Sequence, residues 1–244
     1  MIRLIKKYVK FNAMKKIIIE AVFVYIAIFL TLSAGHAQVK ETRHVDNFSR
    51  INVSSGIDLI ISQGDRTDVV AEARNDEMLE SILTEVDGNT LKIYSKQKTF
   101  KPGPRKVYVT CRDIDGIKAT GGSDISAESV IKVSNLEISA HGGSDVRMEI
   151  KADELHCEIS GGSDADFTGE VKKFSAVASG GSDIRSKELI TENCDLEVSG
   201  GSDASITVNS ELNVQASGGS DVTYYGDAKI KNINASGGSD VVRR

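Results

Sequence analysis

The sequence predicts an all-β chain, a β-solenoid with one short helix in its N-terminal part. Three observations carry that prediction. The tetrapeptide Gly-Gly-Ser-Asp occurs seven times, starting at Gly121, Gly142, Gly161, Gly180, Gly200, Gly218 and Gly237, in steps of 21, 19, 19, 20, 18 and 19 residues. Such a period marks a repeat architecture. Apolar and polar residues alternate on both sides of every repeat. Aromatic residues make up 5% of the chain and Trp is absent, so a core must be built mainly from aliphatic side chains.

The alternation defines the strands. Two residues before each repeat stand Ala119, Ala140, Ile159, Ala178, Val198, Ala216 and Ala235. Four before stand Ile117, Ile138, Cys157, Ala176, Leu196, Val214 and Ile233. The intervening columns are mostly polar, with Lys118, Ser139, Glu158, Gln215 and Asn234 in one and Glu137, His156, Asp195, Asn213 and Asn232 in the other. After the repeat come Ile125, Val146, Ala165, Ile184, Ala204, Val222 and Val241. Period 2 is the signature of strands with one buried face, and a Gly-Gly in every unit opposes a helix. Units of this length stack in register as coils about 4.8 Å apart, so that like residues lie on like. A propeller needs blades of about 40 residues, and paired units would supply too few.

The turn itself reads first as structure. Gly-Gly reaches positive φ without a Cβ clash. Ser and Asp side chains can bond nearby backbone N–H groups, those of the next coil included. The Asp column is Asp124, Asp145, Asp164, Asp183, Asp203, Asp221 and Asp240. Stacked carboxylates repel by about 1 kcal/mol at the dielectric of water, so backbone donors, Ser or Ca²⁺ must offset them. Calcium takes about six to eight oxygens, and calcium β-rolls repeat a GGxGxD motif about every nine residues. Here each coil has one motif and no third Gly. No metal ligand is assigned, no cofactor is expected, and calcium on the Asp column stands as an alternative.

The N-terminal part is built differently. "FSRINVSSGIDLIISQG", "TDVVAEA", "TLKIYSK" and "RKVYVTC" read as strands between Gly, Asp and Asn turns. "NDEMLESILTEVDG" reads as the short helix, capped by Asn75 or Asp76, with Met78, Leu79, Ile82 and Leu83 on one face and Gly88 closing it. "KQKTFKPGPRK" is a basic, Pro-containing loop. The expected organisation is an export segment over 1–37, a β-rich part with the helix over 38–105, and the repeat solenoid over 106–244 on one continuous core.

The export segment rests on Lys15 and Lys16, the apolar run "IIIEAVFVYIAIFLTL", and the small residues Gly35 and Ala37 placed for cleavage before Gln38. Translation begins at Met1 or at Met14, the latter giving a normal "MKK" start. The run is short for a membrane span, and no Cys follows it to take a lipid, so no membrane anchor is expected after processing. Removal of 1–37 takes six of 30 Lys and Arg and one of 35 Asp and Glu, leaving 24 against 34 and a net charge of −10. That balance opposes nucleic-acid and anionic-membrane partners. Cys111, Cys157 and Cys194 are odd in number and irregular in spacing, which is no disulfide framework. Free thiols are expected, with Cys157 and Cys194 in inward columns.

The stretch "FSRINVSSGIDLIISQGDRTDVVAEA…LESILTEVDGNTLKIYSK…VYVTCRDIDGIKATGGSD" resembles the putative auto-transporter adhesin, head GIN domain family of secreted bacterial proteins. The likeness runs from about Val45 to the end, with Arg50-Ile51-Asn52 and Gly56-Ile57-Asp58 nearest the family's Gly-Ile-Asn. It implies a right-handed β-helix-like fold outside the cytoplasm and carries over no catalytic residue. No translocator barrel is recognisable.

Function follows by elimination. Solenoid polysaccharide enzymes pair carboxylates with a basic residue on an outer face. Arg147 and Arg185 follow repeat Asp residues, but a catalytic site departs from its repeat, and these positions look generic. His44, His141 and His156 form no triad pattern. The outer columns hold no aromatic platform for a sugar. The expectation is a non-enzymatic, adhesin-like or scaffolding module of the periplasm or cell surface, with an unknown protein or polysaccharide partner. A calcium-binding module and a polysaccharide-acting enzyme are the alternatives. The last repeat has no evident cap, so an end-to-end homodimer is a further expectation.

Overall fold

A computed structural model describes residues 38–96 and 102–244. The expected export segment lies outside these residues, as does part of the basic loop. Among the described residues no helix is long and apolar enough to cross a membrane.

The fold is a parallel β-solenoid. Its regular part contains β8 (Gly116–Thr120), β9 (Ile125–Ala127), β10 (Ile131–His141), β11 (Val146–Ser160), β12 (Ala165–Ser179), β13 (Ile184–Ser199), β14 (Ala204–Ser217), β15 (Asp221–Tyr225), β16 (Lys229–Ala235) and β17 (Asp240–Arg243). Each Gly-Gly-Ser-Asp turn joins a strand on one face to a strand on the next, and each strand pairs in parallel with its equivalent one coil on. The predicted columns are the observed register: Ile117, Ile138, Cys157, Ala176, Leu196, Val214 and Ile233 are successive partners. All but Ile233 are buried. Phe167 and Phe174 are both fully buried in β12, their rings edge to face at 6.2 Å. Pairs of exposed residues, such as Asp153–Glu154 and Lys172–Lys173, break the alternation within β11 and β12.

The N-terminal part continues the stack out of chain order. β2 (Arg50–Val53) and β3 (Asp58–Gln63) pair in parallel with β8 and β9, and form the coil before the first repeat. Their opposite edges pair in parallel with β6 (Thr90–Ser95) and β7 (Arg105–Cys111). The β2–β3 coil is thus inserted between its successors, and the chain after β7 crosses it to begin β8. The end is closed by antiparallel strands. β4 (Asp68–Ala73) lies on β7, β1 (Val39–Arg43) on β4, and β5 (Ile82–Asp87) on β6.

The predicted helix is half as long as expected. α1 covers Asp76–Ser81, with Asn75 as the cap accepting the Met78 N–H at 3.0 Å. Ile82 then starts β5, which pairs with β6 through a tight turn at Gly88 and Asn89. The apolar spacing of Met78, Leu79 and Ile82 fits both periods. Pairing against β6 decides for a strand, since β-branched Ile82, Thr84 and Val86 suit a sheet edge.

Candidate functional site

The repeat turn carries two hydrogen-bond ladders that run in opposite directions. The N–H of Ser123, Ser144, Ser163 and Ser182 each donates to the Ser Oγ of the following coil, at 3.0–3.2 Å. The N–H of Asp145, Asp164, Asp183, Asp203 and Asp221 each donates to Oδ1 of the Asp in the preceding coil, at 3.1–3.3 Å. The serines are buried, and an unpaired N–H there would cost about 1–3 kcal/mol. The aspartates lie at the outer corner, and one oxygen of each carboxylate in these bonds faces an amide. That donor offsets the repulsion expected of stacked charges.

Geometry also explains the two glycines. The first sits at positive φ under the previous coil: a Cβ on Gly180, at φ 74°, would lie 3.3 Å from the Gly161 nitrogen. The second, as in Gly181, meets nothing within 4 Å and needs only its positive φ.

An eighth, divergent turn was not legible as one. Register places Ser55, Gly56, Ile57 and Asp58 over Gly121, Gly122, Ser123 and Asp124. Ser55 takes φ 72°, the one non-glycine residue at positive φ among those described, and the Arg105 guanidinium donates to its carbonyl at 3.4 Å. Ile57 N–H enters the Ser ladder on Ser123 Oγ at 3.0 Å. Burial, with Asp124 one coil on, raises the Asp58 carboxyl above its ordinary range. The signal was the Gly-x-Asp spacing before "LII"; Ser in place of the first Gly hid it.

Arg185 bridges the Asp column, donating to Asp164 at 2.7 Å and Asp183 at 2.8 Å, while Arg147 lies 3.6 Å from Asp166 instead. Among the described residues no three His, Cys, Asp or Glu side chains converge as a metal-binding group. Cys111, Cys157 and Cys194 are free and buried. Burial pushes Cys111 up to about 11 and Cys157 up to about 12, and raises Cys194 further. His156 is exposed on the strand that buries Cys157. His141 Nδ1 lies 2.7 Å from Ser160 Oγ. Tyr224 is buried at the last coils, and Tyr225 lies under the Lys187 ammonium, 4.7 Å from the ring centre.

The outer face formed by β2, β8, β10, β11 and β12 carries a shallow groove of about 530 Å³. Arg50, Glu137, His156 and Ser175 line it in register, with Glu154 and Lys173 beside them. Arg50 donates to Glu137 at 2.7 Å and to Asp115 at 3.2 Å. Its guanidinium lies over Gly116, where any Cβ would stand 2.5 Å from it. The Arg50 hydrogen bond holds Glu137 below the ordinary glutamate range. Sequence reading placed Glu137 and His156 in this outer column. It did not bring Arg50 to them, because Arg50 lies 87 residues from Glu137 and on the coil inserted out of order. The arrangement presents paired charges, amides and hydroxyls along several coils, which suits multiple hydrogen bonds to an extended polar partner.

Residues 47–228 match the family described as "Putative auto-transporter adhesin, head GIN domain". Solved structures share the fold. A protein of Bacteroides fragilis described as a putative adhesin has a TM-score of 0.78 at 19% identity, covering 86% of this chain and 98% of its own. One of Parabacteroides merdae, also described as a putative adhesin, has 0.68 at 14%, covering 85% and 96%. One of Parabacteroides distasonis, described as a putative lipid binding protein, has 0.67 at 18%, covering 85% and 96%. At these identities the likeness is one of fold. No curated protein matches the chain.

Proposed function

The chain belongs to the auto-transporter adhesin head GIN domain family, and on that premise we propose an exported, non-enzymatic β-solenoid that acts as an adhesin-like or scaffolding module of the cell envelope. The observation that carries this reading is the groove face: a polar ladder from Arg50 through Glu137 and His156 to Ser175, repeated in kind over successive coils. Recognition there is by many hydrogen bonds spread over a rigid surface, which suits an extended protein segment or a polysaccharide. The family and these structural neighbours are described as adhesins or a lipid-binding protein, and none as an enzyme. The Asp ladder supplies backbone N–H donors to the stacked carboxylates, the balancing role for which calcium is the alternative.

Two measurements test the proposal. N-terminal sequencing of the cellular protein, with labelling of intact cells, is expected to find a chain beginning at Gln38 outside the cytoplasm. A cytoplasmic chain retaining Met14 overturns export. Binding to arrays of envelope glycans and peptides is then compared between the native chain and Glu137→Lys/His156→Glu. Binding that both proteins share equally removes this face from the function.

A further inference from the structure

The two ends of the solenoid are finished differently. At the N-terminal end the outermost strands, β1 and β5, are antiparallel additions whose exposed residues include Lys40, Glu41, Glu85 and Asp87, a charged edge of the kind that resists strand addition. At the other end β16 and β17 continue the parallel stack and no strand lies on their far side among the described residues. Four large apolar residues are exposed among those described, and three of them, Ile230, Ile233 and Val242, belong to this coil. Their counterparts one coil back, Leu212, Val214 and the Thr223 position, are roofed by the very strands that lack a roof. Lys229 and Lys231 guard β16, and Lys231 is paired with Glu211. β17 has no lysine, and its Arg243 is held by Asp227 at 2.5 Å.

We propose that β17 is the seam of a closed dimer, pairing antiparallel with β17 of a second copy of this chain. The charge order of the strand selects that occupant. Asp240, Val242 and Arg244 share the outward face by alternation, and Arg244 N–H is still bonded into the sheet on Tyr224 at 3.0 Å. Centred on Val242, two antiparallel copies set Asp240 of each opposite Arg244 of the other, and Val242 opposite itself. The strand is therefore complementary to itself, as an isologous two-fold contact requires. A head-to-tail contact would instead lay β17 on the charged N-terminal edge and grow filaments.

Sedimentation equilibrium of the processed chain isolated from cells is the test, with circular dichroism to verify the fold of each variant. Asp240 and Arg244 are exposed, so single changes leave the coil core intact. A monomer–dimer equilibrium is expected. Arg244→Asp, which faces like charges twice, is expected to weaken it at least tenfold, and Asp240→Arg/Arg244→Asp to restore it. A strict monomer at high concentration, open-ended growth, or a dimer indifferent to the charge reversal each overturns the proposal. None of these outcomes bears on the groove face, so this inference stands or falls separately from the proposed function.

Discussion

Arg50 reaches Glu137 across Gly116, two coils along the same face, at 2.7 Å. The pair exists because the residue between them has no side chain. Gly116→Ala is therefore expected to displace the guanidinium while leaving the strand intact. Both partners are exposed, so the loss in stability should stay below about 1 kcal/mol. The diagnostic is Glu137 itself. Its carboxyl titration, followed by NMR, is expected to move up towards the ordinary glutamate range in Gly116→Ala, whereas an unchanged titration would mean that the pair does not form in solution.

The glycines of one turn are not equivalent. Gly181→Ala meets open space and bears only the positive-φ penalty, about 1 kcal/mol. Gly180→Ala bears that penalty and also presses its Cβ on the Gly161 backbone at 3.3 Å. Urea unfolding is expected to rank Gly180→Ala as the more damaging. Equal losses would show that the coils can part locally.

The divergent turn offers the reverse change. Ser55 holds φ 72° with a Cβ present, so Ser55→Gly is expected to raise stability by up to about 1 kcal/mol, after the entropy that glycine loses on folding. A lower melting temperature would indicate that the Ser55 side chain contributes a contact of its own.

The two ladders should respond differently to removal of their acceptors. Ser163→Ala leaves the buried Ser144 N–H without its partner, at a cost of about 1–3 kcal/mol. Asp145→Asn keeps an oxygen for the Asp164 N–H and removes one charge from the column, so its melting temperature should stay close to the parent's. A large loss in Asp145→Asn would mean that the column needs its full charge, as a bound cation would require.

Alkaline pH should loosen the fold through its thiols. In the unfolded chain they ionise near 9.0, whereas burial holds the proton on Cys111 to about 11 and on Cys157 to about 12. The folded chain thus binds more protons across that window, and stability falls as pH rises through it. Each thiol contributes a slope of about 1 kcal/mol per pH unit. Urea midpoints between about pH 8 and about pH 11 should fall less steeply in Cys157→Ala. Parallel slopes would place the alkaline sensitivity in other groups.

What the sequence determined by itself was the part that repeats. Alternation around seven identical turns dictates which residues face inward, and identical coils can stack in only one register that buries them all. The inward places of Cys157 and Cys194 and the outward place of His156 follow from period 2 alone. The tertiary structure decided whatever departs from the repeat. The Ser55–Asp58 turn, the strand at Ile82 and the meeting of Arg50 with Glu137 all depend on a coil inserted between its successors in sequence. Such contacts carry no local period, because they are set by which sheet edge is free when the chain returns. The groove face is therefore half legible: its columns are written along the chain, but Arg50, which orders its charges, is delivered only by the crossing from β7 to β8.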